Sequence, residues 1–183
     1  MITLVHGGQT GVDRGAHEAA LDNGWLIAGF MPRDGRDERG PIPMDVARYL
    51  IPHDKAGYPA RTEANVRMCD VLLIIVPDAK NPASTPGTKM TIELAERFRK
   101  RKMAVDPNSS VRSIAEWIWL ELFARQTLKL PFISQDQDQL PSRLMVAGPR
   151  ESKWPGACTI AVEILRKIAT GLQQIDGGRR SGM

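Results

Sequence analysis

The sequence predicts an α/β fold in which a mainly parallel β-sheet carries helices on both faces. The first observation behind this prediction is that strand patterns alternate with helical patterns, as crossovers between parallel strands require. The second is that residues 71–76 are apolar throughout, which is typical of a parallel strand buried on both faces. The third is that turns rich in glycine, proline and charge follow the strand patterns, at the sheet edge where ligands bind in this fold class.

Glycines mark the ends of the first elements. Residues 2–6 are a short apolar run that ends at two glycines, which predicts a strand, and residues 13–23 carry alanines at helical spacing. Gly24 closes this helix as its C-terminal cap. Residues 25–30 predict a second buried strand. Residues 31–46 are irregular and too long to be a simple connection.

The middle of the chain repeats the alternation of strand and helix. Residues 49–52 predict a short strand, and residues 60–68 predict a helix that leads into the apolar strand at 71–76. After a turn rich in proline, serine and glycine, residues 88–102 place apolar side chains on one side of a helix. Residues 103–105 predict a further short strand.

The last third predicts one more strand between two helices. Residues 111–125 form a helix that is apolar nearly all round, so it is either deeply buried or shared with another subunit, and we favour a homo-oligomer. Residues 144–147 predict a strand and residues 158–169 the last helix. Residues 177–183 are expected to be a flexible tail, which leaves residues 1–176 as one domain.

The composition excludes several classes of protein. With 183 residues, of which 42% are hydrophobic and 25% charged, the chain is expected to be globular and not disordered or fibrous. No apolar run approaches the roughly 20 residues that a membrane-spanning helix needs. The N-terminal segment also lacks a basic region followed by an apolar stretch, so a cytoplasmic location is expected.

The charge balance is mildly basic, with 25 Lys and Arg against 21 Asp and Glu. Such an excess suits an anionic ligand, although it is common in proteins that bind none. The densest basic run stands at the end of the helix predicted over 88–102, where cations are favoured by the helix dipole; it comprises Arg97, Arg99, Lys100, Arg101 and Lys102. We favour a solvated helix end here, and a nucleic-acid surface is the alternative.

Cysteines and histidines predict no metal site. Cys69 and Cys158 lie far apart and outside any paired motif, so two ordinary buried thiols are expected. His6, His17 and His53 have no metal-ligand spacing among themselves or with the cysteines.

The turn after the first strand has the sequence GGQTGVDR over residues 7–14. Its glycines allow the backbone to approach a ligand closely, and the helix behind it directs N-terminal amides toward an anion. A phosphate is therefore the expected ligand. No Lys-Ser or Lys-Thr follows Gly11, and His6 stands where a dinucleotide fingerprint needs its first glycine. The alternative is a purely structural turn with Asp13 as the helix cap.

Other turns face the same predicted edge of the sheet. Gly87 and Thr88 begin a helix, and Gly148 and Arg150 follow the last strand, where a guanidinium suits bidentate contact with phosphate. A helix start capped by Thr88 is the structural alternative for the first pair.

The helix before the apolar strand carries further polar candidates. Arg61 and Asn65 share one face at i, i+4 spacing, although a surface network would explain them equally well. The loop at residues 31–43 holds Arg33 and Arg36, and we expect it to close over the ligand.

Taken together, these segments resemble the molybdenum-cofactor carrier family, in the YpsA-like branch of the SLOG superfamily of Rossmann-like nucleotide-binding proteins. Residues 7–14 carry the resemblance most specifically. Further matching blocks are residues 32–43, 61–67, 87–91 and 146–156, whereas residues 106–142 match least well.

The resemblance implies a Rossmann-like, lysine-decarboxylase-like sheet, self-association, and a pocket for a phosphorylated pterin or nucleotide. Molybdenum cofactor is then the expected bound ligand, and no metal bound by the protein itself is expected. The expected ligand-binding residues are Gly7, Gly8, Gln9, Thr10, Gly11, Asp13, Arg14, Arg33, Arg36, Arg61, Asn65, Gly87, Thr88, Gly148 and Arg150.

The alternative is an enzyme resembling the phosphoribohydrolases of the same superfamily, which release a base from a nucleoside 5′-monophosphate. Those enzymes use a glutamate three residues after a threonine, and Thr91 stands at that position here. The missing carboxylate would otherwise stabilise positive charge developing on the ribose. If this protein is an enzyme, Glu63 or Glu93 is expected to replace it.

Overall fold

A computed structural model describes residues 1–124 and 142–180. The strands are β1 (Ile2–Val5), β2 (Leu26–Ala28), β3 (Phe30–Met31), β4 (Arg36–Asp37), β5 (Gly40–Pro41), β6 (Ile51–Pro52), β7 (Val71–Ile75), β8 (Arg101–Val105) and β9 (Ser142–Ala147). The helices are α1 (Val12–Asp22), α2 (Met44–Ala47), α3 (Tyr58–Met68), α4 (Pro86–Arg97), α5 (Val111–Trp119) and α6 (Ala157–Arg180).

A parallel five-stranded sheet in the order β2-β1-β9-β7-β8 forms the centre of the described molecule. The chain runs outward from β1 to β2 on one side and from β7 to β8 on the other, and β9 lies between β1 and β7. The loops after β1, β7 and β9 therefore meet at one sheet edge, where the direction of strand addition reverses.

Helices cover both faces of this sheet, as the sequence predicts. On one face the side chains of Leu4, Leu73 and Leu144 pack against α1, α5 and α6. On the other face Leu72 and Met145 pack with residues of α3 and α4. The alternation of side chains along each strand thus buries both faces, which is why β7 is apolar at every position.

The strand predicted over residues 25–30 is interrupted at Gly29. This glycine has a φ of 142°, and a Cβ atom there would lie 2.1 Å from the carbonyl oxygen of His6. The chain therefore turns away from the main sheet, and β3 pairs with β6 in a separate two-stranded sheet. Hydrophobic pattern alone does not show such a bend.

The prediction of a helix over residues 88–102 is wrong at its C-terminal end. Helix α4 stops at Arg97, Arg99 has a left-handed φ of 51°, and β8 begins at Arg101. Cross-strand pairing with β7 outweighs the helical propensity of these basic residues. The basic run therefore spans a helix end, a turn and an edge strand.

The last two helices differ in extent from their predictions. The helix predicted over 111–125 is α5 followed by a π-helical turn, Leu120–Ala124, and residue 125 lies outside the described residues. Helix α6 continues through residues 177–180, where a flexible tail is predicted. Trp119 donates a hydrogen bond to Asp176 at 3.2 Å, which helps to hold this last part of α6 against the end of α5.

Within residues 1–124 and 142–180, no helix has the length and apolar character that crossing a membrane requires.

Candidate functional site

A cavity of about 240 Å³ lies at the carboxyl edge of the sheet, where the loops after β1, β7 and β9 meet. Its walls come from these loops and from the ends of α3 and α4 nearest the edge. They comprise Gln9, Asp13, Tyr58, Arg61, Thr62, Thr85, Pro86, Gly87, Met90, Thr91, Met145, Ala147, Gly148, Pro149, Arg150 and Lys153.

The loop after β1 is held in place by the carboxylate of Asp13, which lies in the first turn of α1. Oδ2 of Asp13 accepts hydrogen bonds from the backbone N–H groups of Gly7 and Gln9, both at 3.1 Å. These two bonds curl the loop over the start of α1. The predicted role of Asp13 in fixing the turn agrees with this geometry.

The loop after β9 packs directly on Gly11. A Cβ atom at Gly11 would lie 2.6 Å from the carbonyl oxygen of Pro149 and from the backbone nitrogen of Glu151. The backbone nitrogen of Val12 donates to that same Pro149 oxygen at 3.2 Å. Gly11 is therefore required for close contact between the loops after β1 and β9.

Arg61 is the buried cation of the cavity. Its guanidinium lies against Gly7, where a Cβ atom would be 1.5 Å from Nη1, and the same Nη1 is 3.9 Å from Oδ2 of Asp13. Burial lowers the pKa of Arg61, and the charge of Asp13 works in the opposite direction. Because arginine is not deprotonated in proteins, Arg61 brings a fixed positive charge to the cavity wall.

Arg150 places a second guanidinium at the cavity, in a more exposed position. Its Cζ lies 5.3 Å from the centre of the Tyr58 ring, close enough for a cation–π contact. Its Nε is 3.9 Å from Oε2 of Glu38. Lys153, which follows in the same loop, lines the cavity as well.

The N-terminus of α4 is directed at the cavity. The side chain of Thr85 caps the helix by accepting a hydrogen bond from the backbone N–H of Thr88 at 3.2 Å. Pro86 has no N–H and that of Thr88 is used by the cap, so the first turn offers the cavity the N–H of Gly87, where a Cβ atom would meet no atom within 4 Å. A helix N-terminus with accessible amides is a ready site for an anion.

Gln9 forms part of the cavity wall and is 6% exposed. Neither Nε2 nor Oε1 of its side chain has a hydrogen-bond partner among the described residues. Most buried amides are paired, so this one stands out.

Several residues predicted for the site lie elsewhere. Thr88 is buried and pairs its hydroxyl with that of Thr85 at 2.8 Å. Asn65 is fully buried and bonds the backbone of Phe30 and His6. Gly8 would bring a Cβ atom within 2.8 Å of Leu50, so it faces the small apolar cluster beneath residues 31–50.

The predicted arginines of the first loop and of residues 31–43 do not join Arg150 at the cavity. Arg14 forms an ion pair with Asp37 at 3.1 Å, and it lines a different cavity together with Thr10 and Gly11. Arg33 and Arg36 are exposed and do not line the main cavity. The position of Arg14 is set by an ion pair with a residue far away in the sequence, which residue spacing does not reveal.

Glu38 is a residue near the site that sequence reasoning missed. Its carboxylate accepts hydrogen bonds from the hydroxyls of Thr10 and Ser152 and from the backbone N–H of Ser152 at 3.1 Å. Burial acts to raise the pKa of Glu38, but the hydrogen bonds from Ser152 and Thr10 outweigh it and lower that pKa. Glu38 thus joins the loops after β1 and β9 beside Arg150. Its sequence context, an acid among arginines, gave no signal.

The two glutamates considered for catalysis lie on helix surfaces. Glu63 pairs with Arg67 at 2.8 Å, and Glu93 is 3.9 Å from Lys89. Neither lines the cavity, whose carboxylate is Asp13.

Among the described residues, no group of three His, Cys, Asp or Glu side chains is arranged to hold a metal ion. His6 and His17 do meet, with Nε2 and Nδ1 3.2 Å apart. Burial lowers the pKa of His6 to about 3. Burial also raises the pKa of Cys69 to about 12 and that of the half-buried Cys158 to about 11, which keeps both thiols protonated.

Comparison with known proteins supports the resemblance seen in the sequence. The profile of the Circularly permutated YpsA SLOG family matches residues 4–169. The solved structure named "Putative molybdenum carrier protein" from Syntrophus aciditrophicus is similar, with a TM-score of 0.73 and 25% sequence identity over 91% of this chain and 93% of that chain. Curated proteins give no match. Because the family profile covers most of the sequence and the Rossmann-like fold agrees, the chain belongs to the Circularly permutated YpsA SLOG family.

Proposed function

We propose that this protein binds a small molecule that ends in a phosphate, and that it carries this ligand without altering it. The observation that carries the proposal is the meeting of Arg61, Arg150 and the N-terminus of α4 at one cavity. Each supplies positive charge or N–H donors, and Lys153 adds another cation. Among the described residues that line the cavity, Asp13 is the one carboxylate, and its Oδ2 is already engaged by backbone amides; Glu38 lies outside the lining, 3.9 Å from Arg150. This balance suits an anionic group.

A flat ring system suits the remaining walls of the cavity. Met90, Met145 and Ala147 supply apolar surface beside the polar groups, and Tyr58 supplies an aromatic face. An apolar pocket with a few convergent polar groups is the usual form of a cofactor site. A phosphorylated pterin or a nucleotide combines the two requirements.

Molybdenum cofactor, a phosphorylated pterin, is the cargo we propose. The similar protein from Syntrophus aciditrophicus is named a molybdenum carrier, and the cationic groups of this cavity fit the phosphate end of such a pterin. Gly87, Arg61 and Arg150 would hold that phosphate. Hydrolysis of a nucleotide is less well supported, because Glu63 and Glu93 lie outside the cavity.

We also propose that the chain is a single cytoplasmic domain that self-associates. Leu120 is 46% exposed at the end of α5, beside the half-buried Trp117 and Trp119. An apolar residue so placed is suited to contact with a second copy. Sedimentation equilibrium gives the subunit number, and a monomer at micromolar concentration contradicts self-association.

The test of the proposed function compares two ligands. Purified protein is incubated with molybdenum cofactor and, in parallel, with AMP, and retained ligand and released adenine are measured after ultrafiltration. We expect saturable retention of the cofactor with AMP left intact. Release of adenine would establish an enzyme instead.

A variant identifies the site in the same assay. We expect Arg150→Ala to weaken binding by about 1.5 kcal/mol, the lower end for a charged hydrogen bond, because Arg150 is partly exposed. Arg112→Ala, at an exposed arginine on α5, is the matched control. Equal affinity of wild type and Arg150→Ala would remove Arg150 from the site.

A further inference from the structure

The buried carboxamide of Gln9 is left unexplained by a site that holds only a phosphate. Both polar atoms of this side chain lack a partner and both are shielded from solvent, although the residue lies in the wall of the main cavity. Its backbone N–H is bonded to Asp13, so the chain at this position is fixed. A buried donor and acceptor left unpaired lower stability, so a group that reached both atoms from the cavity would relieve that cost.

A phosphate satisfies only half of this amide. Phosphate oxygens accept hydrogen bonds, so they can pair with Nε2, whereas Oε1 would face another electron-rich oxygen. The complement of a complete carboxamide is a group that presents one donor and one acceptor side by side. Ring edges of nitrogen heterocycles do so, either as N–H beside C=O or as an amino group beside a ring nitrogen.

The other groups of the cavity leave this role to Gln9. The hydroxyl of Thr91 donates to the backbone carbonyl oxygen of Gly87 at 3.0 Å. The hydroxyl of Thr62 donates to the backbone carbonyl oxygen of Tyr58 at 2.9 Å. The guanidinium of Arg61 and the amides of α4 only donate. Gln9 therefore offers a donor and an acceptor side by side on one planar group, which the hydroxyls, the carboxylate and the apolar side chains of the wall do not.

We propose that Gln9 recognises the heterocyclic ring of the ligand by a paired hydrogen bond to an adjacent donor and acceptor on the ring edge. This inference rests on the proposed function, since it assigns the ring end of a ligand whose phosphate end lies at Arg61, Arg150 and α4. It makes Gln9 a specificity-determining residue. A site built for paired hydrogen bonds rejects ligands that lack them.

The experiment distinguishes recognition of the ring from recognition of the phosphate. Dissociation constants are measured by calorimetry for ribose 5-phosphate, AMP, GMP, hydroxymethylpterin monophosphate, and purine riboside 5′-monophosphate, which lacks the exocyclic group of AMP. The variant is Gln9→Met, which keeps the length of the side chain and removes both polar atoms. Gln173→Met, at an exposed glutamine of α6, is the matched control.

We expect Gln9→Met to weaken binding of the preferred ring ligand about ten- to a hundredfold and to leave ribose 5-phosphate within about twofold. If Gln9→Met loses affinity for GMP and the pterin, the partner of Gln9 is an N–H beside a C=O. If Gln9→Met loses affinity for AMP but not for purine riboside 5′-monophosphate, the partner of Gln9 is an amino group beside a ring nitrogen. Unchanged affinity for every ring ligand overturns the proposal, as does an equal loss for ribose 5-phosphate.

Two further readouts keep these outcomes distinct. If ligands bind and respond to Arg150→Ala but not to Gln9→Met, the proposed function stands and the role of Gln9 is refuted. If the wild type binds none of the five compounds, the role of Gln9 is refuted; if it also retains no molybdenum cofactor, the proposed function fails with it. We also expect Gln9→Met to leave the thermal midpoint of the free protein unchanged or raised, because it removes unpaired buried polar atoms; a lowered midpoint would indicate a structural role instead.

Discussion

Gly87 gives the sharpest test of how the anion is held. Its position in the first turn of α4 has ordinary backbone geometry, and a Cβ atom there meets no atom within 4 Å. Gly87→Ala should therefore raise the free energy of unfolding by about 0.4–1 kcal/mol, because it restricts the unfolded chain. For a protein of this size that corresponds to a rise of roughly 1–4 °C in thermal midpoint.

The same methyl group would project into the cavity and block the approach of an anion to the N–H of Gly87 at the start of α4. If the ligand phosphate makes one charged hydrogen bond there, its loss should weaken binding by about 1.5–3 kcal/mol. Calorimetric titration with AMP or molybdenum cofactor measures this, and thermal unfolding measures the gain in stability. Gly87→Ala should thus be more stable than the wild type and bind the ligand more weakly.

Two other glycines serve as comparisons. Gly24 has a φ of 64° and lies in open space, so Gly24→Ala should lower stability by about 1 kcal/mol and leave binding unchanged. Gly7→Ala should lower both, because its Cβ atom displaces the guanidinium of Arg61. Full affinity in Gly87→Ala would refute the reasoning, since it would mean that the ligand does not approach the N-terminus of α4.

Further predictions concern the framework around the cavity. Asn65→Ala should lower the free energy of unfolding by about 2–4 kcal/mol in urea titrations, because it orphans the backbone N–H and C=O of Phe30; a loss below 1 kcal/mol would contradict this. Since the pKa of His6 is lowered to about 3 in the folded state, the unfolded state binds more protons below pH 6.5. Stability should then fall as the pH falls, by about 1.6 kcal/mol from His6 alone between pH 6.5 and 5, and His6→Gln should show a shallower dependence in the same titrations. Glu38→Gln removes a negative charge near Arg150 and should tighten anion binding a few-fold in calorimetry, while charge-assisted bonds to Thr10 and Ser152 weaken; looser binding would show that Glu38 mainly positions Arg150.

The sequence was sufficient to predict the local structure around the candidate site where it depends on local chemistry. Gly7 and Asp13 belong to a turn whose residue types already specify a tight loop before a helix, and Gly87 belongs to a helix start. The parallel sheet followed equally from the apolar run of β7 and the alternation of elements.

Residues whose role depends on a distant partner could not be placed in this way. Arg14 was expected at the phosphate, but Asp37, 23 positions away, holds it elsewhere. Asn65 shares a helix face with Arg61, yet its amide is used by the backbone of β3, 35 positions away. Glu38 acquires its role from Thr10 and Ser152, which only the folded chain brings together.

The position of β9 has a consequence for the order in which the molecule assembles. Its six residues follow the other eight described strands, yet they lie between β1 and β7 at the middle of the sheet. During synthesis the pairs β1–β2 and β7–β8 can form early, but strand pairing joins them into one sheet only when residues 142–147 have left the ribosome. Contacts of such long sequence separation form slowly. The cavity straddles this seam, so a nascent chain gains the capacity to bind its ligand only when the last strand is inserted.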